Sequence, residues 1–231
     1  MLIVATALPW ETETARGGAA IAGPGRVRLV TSGVGPVRAR DTAEELLEVS
    51  EPNEITAILS VGVAGGLTNG LGRPVLTVPT EILREWDGTS HQPDPALTRR
   101  TTRILNRANI RHRAVTSITT EAVLFTAEEK RAAAQSGAEI VQMEDSEWAE
   151  LGAEAGIPFV AVRVVMDALN DDIPTEVTEW GGAPTPGQLA VATIRRPRLL
   201  RDLAELGLQR HNALRLLERS LTVLIPALAP D

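Results

Sequence analysis

One stretch, residues 141–167 (VQMEDSEWAELGAEAGIPFVAVRVVMD), constrains the fold of this chain more than any other. Its middle part, MEDSEWAELGAEA, is rich in helix-favouring residues and runs into Gly156, which suits a helix C-terminus. The run IPFVAVRVV that follows is β-branched and almost wholly apolar, which predicts a strand covered on both faces. Because VQM indicates the end of an earlier strand, the stretch predicts the strand, helix, strand succession of an α/β sheet.

The same alternation extends along the rest of the chain. Strands are predicted at residues 2–7, 26–32, 54–62, 73–83 and 114–118, and helices at 39–49, 96–108, 127–136 and, in the C-terminal part, 186–226. Loops are predicted at the glycine-rich residues 61–67 (VGVAGGL), at 84–95 and at 170–186. We therefore predict a single α/β domain over residues 1–231, with three α/β/α layers and a central mixed, mainly parallel twisted sheet wrapped by helices.

Two helices carry capping signals. Asp94 and Pro95 provide an N-cap and a first-turn proline for the helix at 96–108. Thr126 and Glu129 form a capping-box pattern for the next helix, which Gly137 is expected to end.

The composition excludes several classes of site. The chain has no cysteine, so disulfides, thiolate metal sites and thiol nucleophiles are excluded. Its formal net charge of -7 argues against a nucleic-acid-binding surface, and no apolar run is long enough to span a membrane. The N-terminal run LIVATAL lacks a basic leader, and the three histidines lack the spacing of metal ligands. We expect a cytoplasmic protein that binds no metal and no nucleic acid.

Carboxylates follow several of the predicted strands. Glu11 comes just after the first strand, Glu144 follows VQM, and Asp167 ends the long apolar run. Since ligands of parallel sheets bind beyond the carboxyl ends of strands, we expect Glu144 and Asp167 on the same side of the sheet. Paired carboxylates suit the cleavage of a glycosidic bond, in which one protonates the leaving group and another orients or activates the nucleophile.

A glycine pair, Gly33 and Gly35, follows the second predicted strand. The dinucleotide fingerprint G-x-G-x-x-G requires a third glycine where this chain has Arg38, so the sequence does not support a dinucleotide site. The pair is equally compatible with a plain turn and with a ligand-facing loop.

Five segments of the chain form a recognisable set, in this order: ALPWETE, TSGVGPVRA, SVGVAGGL, VQMEDSEWAELGAEAGIPFVAVR and RVVMDALND. In content and order they resemble the family 1 nucleoside phosphorylase and nucleosidase superfamily, which includes purine nucleoside phosphorylases and methylthioadenosine/S-adenosylhomocysteine nucleosidases. The tail, from IPTEV through RRPRLLRDLAEL, looks most like the hopanoid-associated phosphorylase branch. The resemblance implies an enzyme that cleaves the N-ribosyl bond of a purine-type nucleoside, forms homo-oligomers and uses no cofactor. Phosphate is its co-substrate if the reaction is phosphorolysis.

The resemblance also implies roles for the carboxylates. Asp167 looks like the general acid that protonates purine N7, and burial away from cations would let it hold a proton near neutral pH. Glu144 is similar to the glutamate that accepts hydrogen bonds from the ribose 2′- and 3′-hydroxyls, and Met143 to the methionine beside the sugar. Glu11 looks like the base that activates water in nucleosidases.

Further contacts are implied around the base and the nucleophile. Backbone amides near Ala64 and Gly65 would help hold the base or the nucleophile, and Phe125 lies where the family contacts the base. Val63 stands where many relatives carry a serine that contacts the nucleophile. Because Glu11 is present and that serine is absent, the site residues favour water as the nucleophile, whereas the resemblance of the tail favours phosphate as the nucleophile.

Plainer roles exist for the same residues. Asp167 also suits a loop cap, Glu144 a helix N-terminus and Glu11 a surface charge. Arg163 is as compatible with a structural ion pair as with anion binding.

Two further departures from the family pattern are Asp145, in place of a glycine, and Met166, in place of a serine. They are compatible with an altered substrate, such as one with a large apolar 5′ group, with reduced activity, or with a nucleoside-binding protein that has lost turnover.

Overall fold

The computed structural model describes residues 1–51, 54–71, 73–173 and 199–230, with the backbone alone for residues 199–206. Most of the loop predicted at 170–186 and the first part of the C-terminal helical segment lie outside the described residues. That all 231 residues form one domain therefore stays a prediction. Within the described ranges, no helix combines the length and apolar character needed to cross a membrane.

One mixed sheet forms the centre of the protein. Its strands are β1 (Leu2–Thr6), β2 (Val27–Thr31), β3 (Ala57–Gly66), β4 (Val75–Arg84), β5 (Ser90–His91), β6 (His112–Thr119), β7 (Ile140–Gln142) and β8 (Phe159–Asp167). They lie in the order β2-β1-β3-β7-β6-β4-β5, and β8 pairs with both β3 and β4. The pairings β1–β2, β1–β3, β3–β8, β4–β6 and β6–β7 are parallel, whereas β3–β7, β4–β5 and β4–β8 are antiparallel. The mixed, mainly parallel sheet predicted from the sequence is confirmed.

Helices cover both faces of this sheet. They are α1 (Pro9–Ala22), α2 (Pro36–Glu48), α3 (Pro95–Arg107), α4 (Ala127–Ala133), α5 (Asp145–Glu154) and α6 (Leu199–Leu228). Helices α1, α3 and α6 share a core with Leu2 and Val4 of β1, while α2 and α5 share a second core with Ile3 and Ala5. Because side chains alternate along a strand, β1 contributes to both cores, and the three-layer arrangement is confirmed.

The predicted caps are also confirmed. The Asp94 side chain accepts a hydrogen bond from the Leu97 amide at 2.6 Å, and Thr126 and Glu129 form a complete capping box at α4. Helix α4 passes through a short 3-10 turn, Ala134–Ser136, and the chain leaves it at Gly137 with a φ of 86°.

Two predicted loops are wrong in part. The residues VGVAGG continue β3 to Gly66, because β7 pairs with Gly65 and Gly66 and β8 pairs along the other edge. Hydrogen bonding from both sides thus keeps a glycine-rich segment extended. The predicted loop at 84–95 contains the two-residue strand β5, which pairs with β4.

Candidate active site

Asp167 is the last residue of β8 and lies beside Gly65 of β3 in the sheet register. A Cβ atom added to Gly65 would lie 3.1 Å from Oδ2 of Asp167 and 3.0 Å from Cγ1 of Val141. The glycine thus gives the carboxylate room to lie against the strand. Residues 61–66 of the loop predicted at 61–67 are strand, but the glycines there still permit close approach to the candidate acid.

Lys130 of α4 is the partner of the Asp167 carboxylate. Its buried ammonium donates to Oδ2 of Asp167, to the carbonyl of Ala168 at 3.2 Å and to the carbonyl of Asp171 at 2.9 Å. The expectation that Asp167 is buried away from cations is therefore wrong. Burial does raise the pKa of Asp167, but the Lys130 ammonium opposes that rise.

Glu11 lies in the first turn of α1, not in a loop after β1. Its Oε2 accepts hydrogen bonds from the amides of Ala7 at 3.0 Å and Leu8 at 2.9 Å, and its Oε1 accepts one from Val63 at 2.9 Å. The side chain is buried, so it is not a surface charge. Burial raises the pKa of Glu11, while the charge of Arg163 and the three amides act in the opposite direction.

Glu144 is the N-cap residue of α5 and is also buried. Its Oε1 accepts a hydrogen bond from the amide of Gly35 at 3.0 Å, and its Oε2 lies 4.0 Å from Nη2 of Arg163. Gly35 has a φ of 101°, a conformation that favours glycine, so the glycine turn before α2 serves to aim an amide at this carboxylate. Burial raises the pKa of Glu144 to about 7, against the opposing charge of Arg163.

The predicted placement of Glu144 and Asp167 at equivalent strand ends is wrong. Strand β7, which precedes Glu144, runs antiparallel to β3, whereas β8 runs parallel to it. Asp167 therefore lies beside Gly65, near the end of β3, while Glu144 approaches Arg163, the register partner of Gly62. Both carboxylates nevertheless lie beside the C-terminal part of β3, between Gly62 and Gly65.

Arg163 is a structural ion-pair residue at the base of this region. Its Nε donates to Oδ2 of Asp145 at 3.1 Å and its Nη2 donates to Oδ1 of Asp145, while Nη2 also donates to Ser60 Oγ at 2.8 Å. Of the two roles left open by the sequence, the structure therefore shows the ion pair. Burial lowers the pKa of Arg163, but the charge of Asp145 and the hydrogen bonds to it act in the opposite direction, and the net effect is a raised pKa, so the guanidinium stays charged.

The remaining predicted contact residues are Met143, Val63, Ala64 and Phe125. Met143 is half-buried, and its Cε would lie 3.9 Å from a Cβ on Gly35. Val63 and Ala64 lie between Gly62 and Gly65 on β3. Phe125 is half-buried, and its carbonyl accepts a hydrogen bond from the amide of Ile173, six residues beyond Asp167, at 2.7 Å.

Met166 points away from this region, because neighbouring residues of a strand face opposite sides. It lines a separate cavity of about 150 Å³ together with Arg73, Pro74, Leu208, Gln209 and Asn212. The methionine in place of the family serine is thus a packing residue of the α6 side. In the part of the chain that the structure describes, no three His, Asp or Glu side chains gather as metal ligands would.

Sequence reasoning missed two members of the site, Lys130 and Asp145. Lys130 is the chain's single lysine, in a protein whose other basic residues are arginines, and that isolation was the available signal. From the sequence, Asp145 is only a departure from the family pattern. In the structure it is the ion-pair partner of the buried Arg163, and a buried guanidinium requires such a partner.

The sequence model of the Phosphorylase superfamily matches residues 7–183, a segment that contains every carboxylate described above. The chain belongs to the phosphorylase superfamily. This membership confirms the resemblance predicted from the sequence, and with it the enzyme class, a nucleoside phosphorylase or nucleosidase. No curated protein matches the chain in sequence.

Several solved structures share the fold at low sequence identity. A 5′-methylthioadenosine/S-adenosylhomocysteine nucleosidase of Helicobacter pylori, bound to butyl-thio-DADMe-Immucillin-A, is 14% identical with a TM-score of 0.68, over 95% of this chain and 96% of that chain. The futalosine hydrolase of Helicobacter pylori gives the same four values. The corresponding nucleosidase of Campylobacter jejuni is 14% identical with a TM-score of 0.65, over 94% of this chain and 98% of that chain.

Proposed function

We propose that this protein hydrolyses the N-glycosidic bond of a purine-type nucleoside with a substituent at the 5′ position. One observation carries the proposal: three buried carboxylates, Glu11, Glu144 and Asp167, lie along the Gly62–Gly65 segment of β3 although they come from different elements. Burial raises the pKa of each carboxyl group. Raised carboxyl pKa values concentrate at catalytic sites, because acids and bases there must exchange protons near neutral pH.

Asp167 is the general acid in this proposal. Its carboxyl proton passes to N7 of the purine while the C1′–N9 bond breaks, and the bonding electrons leave with the base. Protonation of the leaving base removes the cost of expelling an anion, and general acids of this kind contribute roughly 10²- to 10⁴-fold.

Glu144 is the ribose-binding residue. A carboxylate accepts hydrogen bonds from two neighbouring hydroxyls, and its negative charge offsets the cationic character that the sugar gains in the transition state. With its Oε1 held by Gly35, the side chain has a fixed orientation. With a pKa of about 7, the unliganded Glu144 is only partly ionised at neutral pH. Hydrogen bonds from the sugar hydroxyls stabilise the charged form, so substrate binding is expected to ionise the side chain.

The charges around Gly62 favour water over phosphate as the nucleophile. When ionised, Glu11, Glu144 and Asp145 carry three negative charges around the single positive charge of Arg163, whose fork is already occupied by Asp145. A phosphate dianion would meet net negative charge there, whereas water needs a base. Glu11 supplies that base, beside the Val63 amide that it already binds.

The substrate class rests on the fold comparison. Structural neighbours named as 5′-methylthioadenosine/S-adenosylhomocysteine nucleosidase and as futalosine hydrolase have the same fold. We therefore propose 5′-substituted nucleosides of this kind as substrates, in a protein that acts as a homo-oligomer in the cytoplasm.

Product analysis tests the reaction. The protein is incubated with 5′-methylthioadenosine, S-adenosylhomocysteine, futalosine and adenosine, each with and without phosphate, and the sugar product is identified. Free sugar formed at a phosphate-independent rate is expected, and a sugar 1-phosphate would show phosphorolysis instead. Glu11→Gln should abolish hydrolysis, whereas Glu13→Gln, on the same helix but exposed, should have no effect.

A nucleoside-binding protein without turnover is the second candidate. The ion pair between Lys130 and Asp167 favours it, since a nearby cation promotes ionisation of the candidate acid. Binding of adenine in calorimetry, combined with no cleavage of any of the four nucleosides, would establish this alternative.

A further inference from the structure

Lys130 is buried, with 1% of its side chain exposed, and the proposed reaction assigns it no role. Lysine is rarely buried without a partner, because removal of an ammonium from water is costly. It is also the only lysine in the chain. Its position therefore calls for a physical explanation.

The ammonium of Lys130 has all three of its donors engaged. It donates to Asp167 Oδ2 and to the carbonyl oxygens of Ala168 and Asp171 in the segment that follows β8. Since an ammonium group has three donors and no acceptor, these contacts saturate it. The same side chain thus fixes the candidate acid and the turn after it to helix α4.

The contact with Lys130 distinguishes the two carboxylate oxygens of Asp167. Oδ2 accepts from Lys130, whereas no residue of the described ranges donates a hydrogen bond to Oδ1. The oxygen available to a bound base is therefore Oδ1, and Lys130 determines which way it faces.

We propose that Lys130 is the positioning residue of the general acid, holding Asp167 by Oδ2 so that Oδ1 delivers the proton to the leaving base. This inference rests on the proposed function. In the step, the Oδ1–H bond breaks, the N7–H bond forms, and the electron pair of the C1′–N9 bond goes to the base. The carboxylate that results lies against an ammonium whose charge has not changed, so Lys130 stabilises the product of the proton transfer.

The other charged groups near Asp167 do not substitute for Lys130. Asp171 opposes ionisation of Asp167 and Arg73 favours it, but these two side chains are ion-paired to each other. On the β7 side the carboxylate faces the apolar Val141. Among the described residues, Lys130 is thus the cation in direct contact with the carboxylate.

Nuclear magnetic resonance of the wild-type protein tests the pairing. Labelling with ¹⁵N-lysine gives a single side-chain signal, because the chain has one lysine. A buried, hydrogen-bonded ammonium should exchange its hydrogens slowly enough to be seen at neutral pH, and the signal should shift or vanish in Asp167→Asn. A signal absent from the wild type, or unchanged in the variant, would overturn the proposal.

The pH dependence of kcat/KM tests the role in the reaction. Lys130 lowers the pKa of Asp167, so Lys130→Met should move the alkaline limb of the profile upward by about one pH unit or more. The plateau should fall at least roughly tenfold, because the weaker acid lacks its stabilising cation. Lys130→Arg keeps the charge and should keep the position of the limb.

The two proposals fail in different ways. If the wild type cleaves nucleosides but Lys130→Met has an unshifted limb, only the role of Lys130 is refuted. If the wild type cleaves no nucleoside while the ammonium signal responds to Asp167→Asn, the ion pair is structural, and both the function and the positioning role fail. Should Lys130→Met not fold, the labelled wild type and Asp167→Asn still decide the pairing.

Discussion

Glu11 and Arg163 approach Gly62 from different elements so closely that no room is left there for a side chain. A Cβ atom added to Gly62 would lie 2.5 Å from Oε1 of Glu11 and closer still to Nη1 of Arg163. The backbone of Gly62 does not have the positive φ that favours glycine. Glycine is therefore needed at this position because a side chain would not fit. A carboxylate and a guanidinium thus meet at one position of β3.

Gly62→Ala should damage both stability and activity. Glu11 or Arg163 has to move, which should lower the free energy of unfolding by about 1–3 kcal/mol and reduce kcat/KM roughly 100-fold. Gly17→Ala is the matched control, because Gly17 is exposed in α1 and its nearest neighbour to an added Cβ is Thr222 at 4.0 Å. That variant should be neutral or slightly more stable. Equal behaviour of the two variants in urea unfolding would contradict the crowding at Gly62.

Asp145→Asn should be strongly destabilising. It removes the carboxylate that accepts hydrogen bonds from Nε and Nη2 of Arg163, and it leaves the buried guanidinium hydrogen-bonded to no carboxylate of the described residues, with Glu144 Oε2 4.0 Å away, at a cost of about 3–5 kcal/mol. Glu13→Gln breaks the exposed pair with Arg16 and should change the free energy of unfolding by less than about 1 kcal/mol. Similar decreases in the free energy of unfolding of the two variants would contradict a larger stabilising contribution from the buried pair.

The stability of the unliganded protein should fall as the pH rises through neutrality. Glu144 titrates near 4.5 when unfolded and at about 7 when folded, so its contribution is complete below pH 4.5 and is lost as the pH approaches 7. The loss is on the order of 3 kcal/mol. Glu144→Gln should remove this part of the slope in unfolding experiments between pH 5 and pH 8. Glu11 and Asp167 act in the same direction, so some slope should persist.

The fold was predictable from local patterns because its strands are buried and its helices are capped. The apolar run ending at Asp167 locates β8, and Asp94 and Thr126 locate the starts of α3 and α4. The direction of β7 was not predictable, since three residues carry no information about which neighbour they pair with. For that reason the position of Glu144 relative to Asp167 was predicted wrongly.

The electrostatics of the candidate site depend on contacts between residues that are distant in the chain. Glu11 binds the amide of Val63, and Lys130 binds Asp167. The two residues of each pair are far apart in the sequence, so no local motif predicts either contact. The sequence therefore indicated which carboxylates to consider and offered an ion pair as one role of Arg163, whereas the contact between Lys130 and Asp167 emerged only from the fold.

Asp167→Asn tests the central claim most directly, through kcat/KM for hydrolysis of the best 5′-substituted purine nucleoside. The amide has no acidic proton to give, so kcat/KM should fall by roughly 10²- to 10⁴-fold while circular dichroism shows a folded protein. Asp172→Asn, which alters a carboxylate that binds the Ala127 amide at the start of α4, should keep nearly full activity. An Asp167→Asn protein that retains activity within about threefold of the wild type would contradict the assignment of Asp167 as the acid.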